Sequence, residues 1–140
     1  MEIDVNYLAV GVGAVVSFVF GAMWYGPLFS KTWVRLSGFT PEQVEEGRKQ
    51  SMAKSYVLTF VGCLLISSML WHIIVLAEGF SGESGLTIGV LAGFWSWFGF
   101  VVPITLGSVL WEGRSWSLWL FNNAYHLLNF AIIGATLSCF

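Results

Sequence analysis

The sequence predicts an all-α integral membrane protein, a bundle of four membrane-spanning helices, and three observations predict it. Of the 140 residues, 56% are hydrophobic and 10% charged, with a mean hydropathy of +0.76. Soluble domains carry about a quarter charged residues, so a water-soluble fold is excluded. Apolar runs at about 5–25, 55–77, 85–110 and 116–138 each reach the roughly 20 residues that a helical span needs, and together they nearly exhaust a single domain. The six Lys and Arg residues all fall between the first and second runs or between the third and fourth. That is the charge asymmetry of a polytopic chain.

The N-terminal stretch before the first run is acidic, with Glu2 and Asp4, and has no positive n-region, so the run is expected to stay as a retained helix. Within it Gly13, Ser17 and Gly21 recur every four residues, a small-residue ridge that lets a second helix approach closely. Trp24-Tyr25-Gly26-Pro27 ends the span with ring systems suited to the headgroup level and a pair that breaks a helix. Phe29, Trp33 and Leu36 then follow at i, i+4 and i+7, with Lys31 and Arg35 on another face. This predicts a short amphipathic helix lying in the interface, with an irregular anchored loop as the alternative.

Thr40-Pro41-Glu42-Gln43 is a helix start, with a capping Thr, a Pro at the first helical position and a Gln able to close a capping box. Glu45 and Lys49 support the exposed turns at i, i+4, Gly47 weakens them, and the helix is expected to run on into span 2 as a polar stem. Glu78 to Ser84 reads as a turn. Span 3 carries a second ridge, Gly85, Gly89 and Gly93, and Pro103 is expected to kink it. Trp95 and Trp97 fall near its middle, where they serve either core packing or the stacking of a flat ligand. The spacing from Gly13 to Pro27 equals that from Gly89 to Pro103, a hint of an internal repeat of two helices. Trp111 to Trp116 makes the last turn.

Span 4 carries the chemistry. Asn122, His126 and Asn129 are spaced i, i+4 and i+7 and form one polar stripe, flanked by Asn123 and Tyr125. At 1.5 Å per residue from Ser115, His126 lies about 16 Å deep, near the middle of a hydrocarbon core about 30 Å thick. Such groups must find partners within the protein. Two readings follow: glue between helices, or a polar seam through which something permeates, with His126 as proton acceptor or orienting donor. A haem held by His72 and His126 is disfavoured because the two sit about 9 Å apart in depth on parallel spans. Zinc is disfavoured because no carboxylate or thiol stands at ligand spacing from either His. No cofactor, metal or enzymatic activity is expected. Cys63 and Cys139 read as small core residues, and no basic tract suits nucleic acid.

Four spans with alternating connections place every cation on one side, which the positive-inside rule assigns to the cytoplasm and which leaves both termini extracytoplasmic. The expected location is the bacterial inner membrane. Expected partners are lipids and a second copy of the chain or another membrane helix, reached through the Gly and Ser ridges.

Trp24-Tyr25-Gly26-Pro27 with Phe29 and Trp33, Trp111-Glu112-Gly113-Arg114-Ser115, and Asn122-Asn123-Ala124-Tyr125-His126 with Gly134 together resemble the bacterial and fungal membrane family known as domain of unknown function 1761. The resemblance implies four helices and carries over no catalytic residue. The functional expectation is a small transport or permeation module built on the seam. The alternative is a binding or assembly protein that holds a lipid, a flat hydrophobic ligand or a partner helix.

Overall fold

A computed structural model describes residues 3–140, and among them the regular structure is entirely helical. Glu2, read above as part of the acidic N-terminal stretch, lies outside the described residues. Three stretches are long and apolar enough to cross a membrane: Tyr7–Leu28, Ala53–Ser81 and Leu86–Leu110, each with an 18-residue window of mean hydropathy 1.9, 2.2 and 1.6 in turn. The helix expected as the fourth span, Trp116–Leu137, has 22 residues but falls short of that apolarity. Its Asn and His residues lower it.

Helix α1 (Tyr7–Met23) starts where the Asn6 side chain accepts from the Ala9 amide, and it continues as a π-turn over Trp24–Leu28. Gly26 leaves helical geometry there (φ −103°, ψ −110°), immediately before Pro27, which disfavours a helical conformation at the residue it follows. Helix α2 (Ser30–Ser37) ends at Gly38, whose φ of 72° is open to glycine at little steric cost. Its Trp33 and Leu36 are half-buried while Lys31 and Arg35 are exposed, so the predicted two-faced helix exists.

Helix α3 (Pro41–Lys49) carries the capping box, with both the Thr40 and Gln43 bonds formed. The polar stem does not. Gln50 adopts an extended conformation and a new helix, α4 (Ala53–Ser81), starts three residues later, so α3 and span 2 are separate. The stretch around Gly47 and Gln50 is exposed, and no packed apolar face holds it helical against the glycine. Glu45 also pairs with Arg48 at i+3 (3.8 Å) rather than with Lys49. Helix α4 runs four residues further than span 2 was expected to, into the region read as a turn, and stops at Gly82 in the left-handed conformation.

Span 3 is one rod in three parts: α5 (Leu86–Ser96), a π-turn (Trp97–Val101) and α6 (Val102–Leu110). The expected disturbance at Pro103 is taken up as this wide turn, since a π-bulge is one way a helix accommodates a missing donor. Helix α7 (Trp116–Leu137) follows a tight turn and is capped by the Ser115 hydroxyl, which accepts from the Leu118 amide.

Ala9, Leu70, Ile74, Ala92, Ile133 and Leu137 form a core shared by α1, α4, α5 and α7. Small residues let these helices close. Gly13 faces Ser67, Ile133 and Leu137, and Ser17 donates to the Cys63 sulfur at 3.3 Å. Ser67 in turn donates to the Val10 carbonyl at 2.9 Å. On the second ridge, a Cβ at Gly89 would strike the Gly134 carbonyl and the Ser138 hydroxyl, and one at Gly93 would strike the Phe130 carbonyl. Gly85 does not belong to this contact; it is the cap of α5, with φ of 102° and nothing near it. Both ridges, expected to serve self-association, pack against helices of the same chain. The outer surface of the bundle is apolar, with Leu65, Met69, Phe100, Ile104 and Leu120 among its exposed side chains. Apolar exposure on that scale suits a lipid surround.

Candidate functional site

Polar side chains collect at the end of the bundle where α2 meets the α6–α7 turn. Gly113, with φ of 70°, lets the chain reverse after α6, and the Arg114 amide then donates to the Ser108 carbonyl at 3.0 Å. This bond pins Arg114 beside the end of α6. One turn back on that helix, Thr105 and Ser108 share a face at i, i+3, and on α7 Leu118, Trp119, Asn122, Asn123 and His126 turn toward them. Trp33, Ser37 and Phe39 close the remaining side. The result is an open cleft of about 350 Å³. That is at the lower end of the range for small-molecule sites.

The cleft wall is tied together through one hydroxyl. Thr105 Oγ1 donates to the Val101 carbonyl at 2.8 Å and accepts from Asn123 Nδ2 at 3.0 Å and Trp119 Nε1 at 3.2 Å. A hydroxyl has one donor and two lone pairs, so Thr105 is saturated. Asn123, 3% exposed, also donates to the Trp119 carbonyl at 3.1 Å, and its position is fixed. Tyr25 Oη donates to Asn122 Oδ1 at 2.9 Å, which links the π-turn after α1 to the cleft wall. Asn122 Nδ2 and both ring nitrogens of His126 have no hydrogen-bond partner among the described residues.

The expected stripe therefore divides. Asn122, Asn123 and His126 line the cleft, whereas Tyr125 and Asn129 do not. Tyr125 turns to α1, where its ring stacks on Phe20 (5.6 Å between centroids, 11° between planes) and its hydroxyl fills the space over Gly21. With Trp24, Tyr25, Phe29 and Phe121 it makes an aromatic layer behind the cleft wall. Asn129 is 3% exposed, and its Oδ1 is buried with no partner. One helical turn separates three different environments.

Trp95 and Trp97 lie elsewhere. Trp95 is exposed, each of the two contacts Phe94 and Phe98, and neither lines the cleft. The indole Nε1 atoms of Trp97 and Trp24 are buried without partners, so the two π-turns begin alike. His72 uses Nδ1 to bond the Ser68 carbonyl at 2.7 Å, one turn back on its own helix. No group of three or more His, Cys, Asp or Glu side chains suited to a metal ion occurs among the described residues.

A family model described as protein of unknown function (DUF1761) matches residues 8–138. The chain belongs to this family. The match includes every residue of the cleft. No significant match was found among curated proteins or among solved structures.

Reasoning from sequence did not find Ser37, Thr105, Ser108, Arg114 or the aromatic walls Trp33, Phe39 and Trp119. A signal was present for some of them. Thr105 and Ser108 are the only hydroxyls in the last two turns of span 3 and stand on one face, and Arg114 is the single cation of the third connection. Nothing in the chain announced that α2 would fold back over them.

Proposed function

We propose that this family member is a four-helix membrane protein that binds the polar end of a small amphiphile in the cleft between α2, α6 and α7. The observation that carries the reading is the convergence of Asn122, Asn123 and His126 with three aromatic side chains in one open cavity. Apolar walls with a few placed polar groups are the usual make-up of a small-molecule site. In this reading α7 is the fourth span, its polar side facing the cleft and its small residues facing α5. The positive-inside rule sets the cleft at the cytoplasmic face, both described ends outward, and the bacterial inner membrane as the location. Membrane lipids are the nearest source of such an amphiphile.

The test is native mass spectrometry of protein purified in mild detergent, comparing wild type with Ser37→Trp, which fills the cleft from its α2 side. The expected result is a retained small molecule in the wild type that is absent from the variant at unchanged thermal stability. Retention by both, or by neither, contradicts the reading.

Permeation along the same helix is a second reading, favoured by the unpartnered Oδ1 of Asn129, about 4.5 Å further along the helix than His126. It requires flux in proteoliposomes that the double variant Asn122→Leu, His126→Leu abolishes. The close approach of Gly89 to Gly134 and of Gly93 to Phe130 weighs against it, because that half of the α5–α7 contact has no width for a polar solute.

A further inference from the structure

Resting on the cleft as a binding site, we infer that the group it accepts is an oxyanion, a phosphate or carboxylate, paired with Arg114 and with the uncharged donors of Asn122 and His126. A census of donors and acceptors carries this inference. Two acceptors of the cleft are already engaged: Asn122 Oδ1 takes the Tyr25 hydroxyl, and Thr105 Oγ1 takes two N–H groups. The Ser108 hydroxyl directs its own proton to the Thr105 carbonyl at 2.8 Å. Left unmatched are the two N–H bonds of Asn122 Nδ2, one N–H of the His126 ring and the guanidinium of Arg114, against the neutral acceptors of Ser37, Ser108 and the second His126 nitrogen, so the only charged group in the cleft wall is a donor.

Charge points the same way. No Asp or Glu lines the cleft, and the one ion pair among the described residues is Arg48 with Glu45, on the exposed face of α3. Arg114 therefore brings a positive charge to the cavity without a carboxylate to answer it. A guanidinium presents a planar fork that matches an oxyanion bidentately. A neutral or cationic head group would gain nothing from the exposed Arg114 charge and would leave the donors of Asn122 and His126 unmet. The turn geometry holds the arginine where this pairing can occur, because Gly113 and the bond from the Arg114 amide to Ser108 fix its backbone.

The oxyanion can come from a lipid head group or from a free anion, and one experiment separates the sources. The protein in a neutral maltoside detergent is titrated with short-chain phosphatidylglycerol, short-chain diacylglycerol, which has the same tails and no oxyanion, and inorganic phosphate, with binding followed by tryptophan fluorescence. Wild type is expected to prefer the anionic lipid over the neutral one by about tenfold, the scale of one charge-assisted pair. Arg114→Gln is expected to remove that preference and Arg114→Lys to restore most of it. Lys31→Gln, on the exposed face of α2, leaves it unchanged. Binding of phosphate alone that Arg114→Gln abolishes also supports the inference and names a free anion as the source. Equal binding of the two lipids by wild type, or a preference that survives Arg114→Gln, overturns the oxyanion inference while leaving the cleft reading standing. Failure of every probe to bind overturns both.

Discussion

Replacing Gly93 by alanine tests the packing that divides the cleft half of the bundle from the closed half. An added Cβ would lie 2.7 Å from the Phe130 carbonyl carbon, 0.7 Å inside the 3.4 Å at which ordinary contact begins, with the oxygen nearer still. The obstacle is backbone within a helix, so no side chain can swing aside, and α5 and α7 must part by at least that 0.7 Å. Overpacking of this kind costs about 1–3 kcal/mol. A gap of 0.5–1 Å along the rest of the contact forfeits a further quarter to half of each dispersion well there. Together these give a loss of about 2–4 kcal/mol. Gly11→Ala is the control, since nothing lies within 4 Å of its Cβ position. Alanine in a helix interior there is expected to stabilise by about 0.5–1 kcal/mol through helix propensity alone. Unfolding of purified protein in mixed micelles by increasing sodium dodecyl sulfate, followed by circular dichroism, measures both. If Gly93→Ala is no less stable than Gly11→Ala, the two helices do not approach as described.

Three further outcomes follow from individual contacts. Tyr25→Phe removes the bond to Asn122 and is expected to cost about 0.6 kcal/mol, with a maximum near 1.7, in the same unfolding titration, as hydrogen bonds between membrane helices do; an unchanged midpoint would show that the two groups are not bonded. Thr40→Ala removes half of the capping box and is expected to destabilise α3 locally by about 1 kcal/mol. Amide exchange at Gln43 should accelerate while global unfolding stays put, because α3 is exposed along nearly its whole length. Cys139 is exposed and Cys63 is buried against Ser17, so a maleimide should modify Cys139 in folded protein and reach Cys63 only after denaturation. In intact cells, labelling of Cys139 by a membrane-impermeant maleimide tests the proposed outward C-terminus.

The helices were legible in the sequence because membrane composition, glycine spacing and capping chemistry are local. The capping box at Thr40 and the two faces of α2 were readable within a few residues. Pro103 and Pro27 announced disturbed backbone, although the form it took, a π-turn in each case, depends on how neighbouring helices satisfy the freed groups. The failures were tertiary. Gly13, Ser17, Gly21, Gly89 and Gly93 signalled close approach without saying to what, and the answer was other helices of the same chain. Gly85 shares their spacing but stands at a cap, where a positive φ is the reason for glycine. The stripe of Asn122, His126 and Asn129 was correct as a periodicity and incomplete as a site. On a helix of 3.6 residues per turn i, i+4 and i+7 share a sector of about 60°, but Asn129 stands about 10 Å further along the axis than Asn122, and one face meets different neighbours along its length. Asn129 lies buried, outside the cleft that Asn122 and His126 line, and the other half of the cavity, from Ser37 to Arg114, comes from segments distant in the chain.

The central claim is that Asn122 and His126 face an open cleft while Asn129 is sealed from it. Single cysteines at Ser37, Asn122, His126 and Asn129, placed in a variant with Cys63 and Cys139 replaced by alanine, test it directly with a small charged thiosulfonate reagent applied to detergent-purified protein. The account predicts modification at positions 37, 122 and 126, protection of those three by whatever amphiphile the protein retains, and no reaction at position 129. Modification of position 129 at the same rate as 126, or none at 122 and 126, would contradict it.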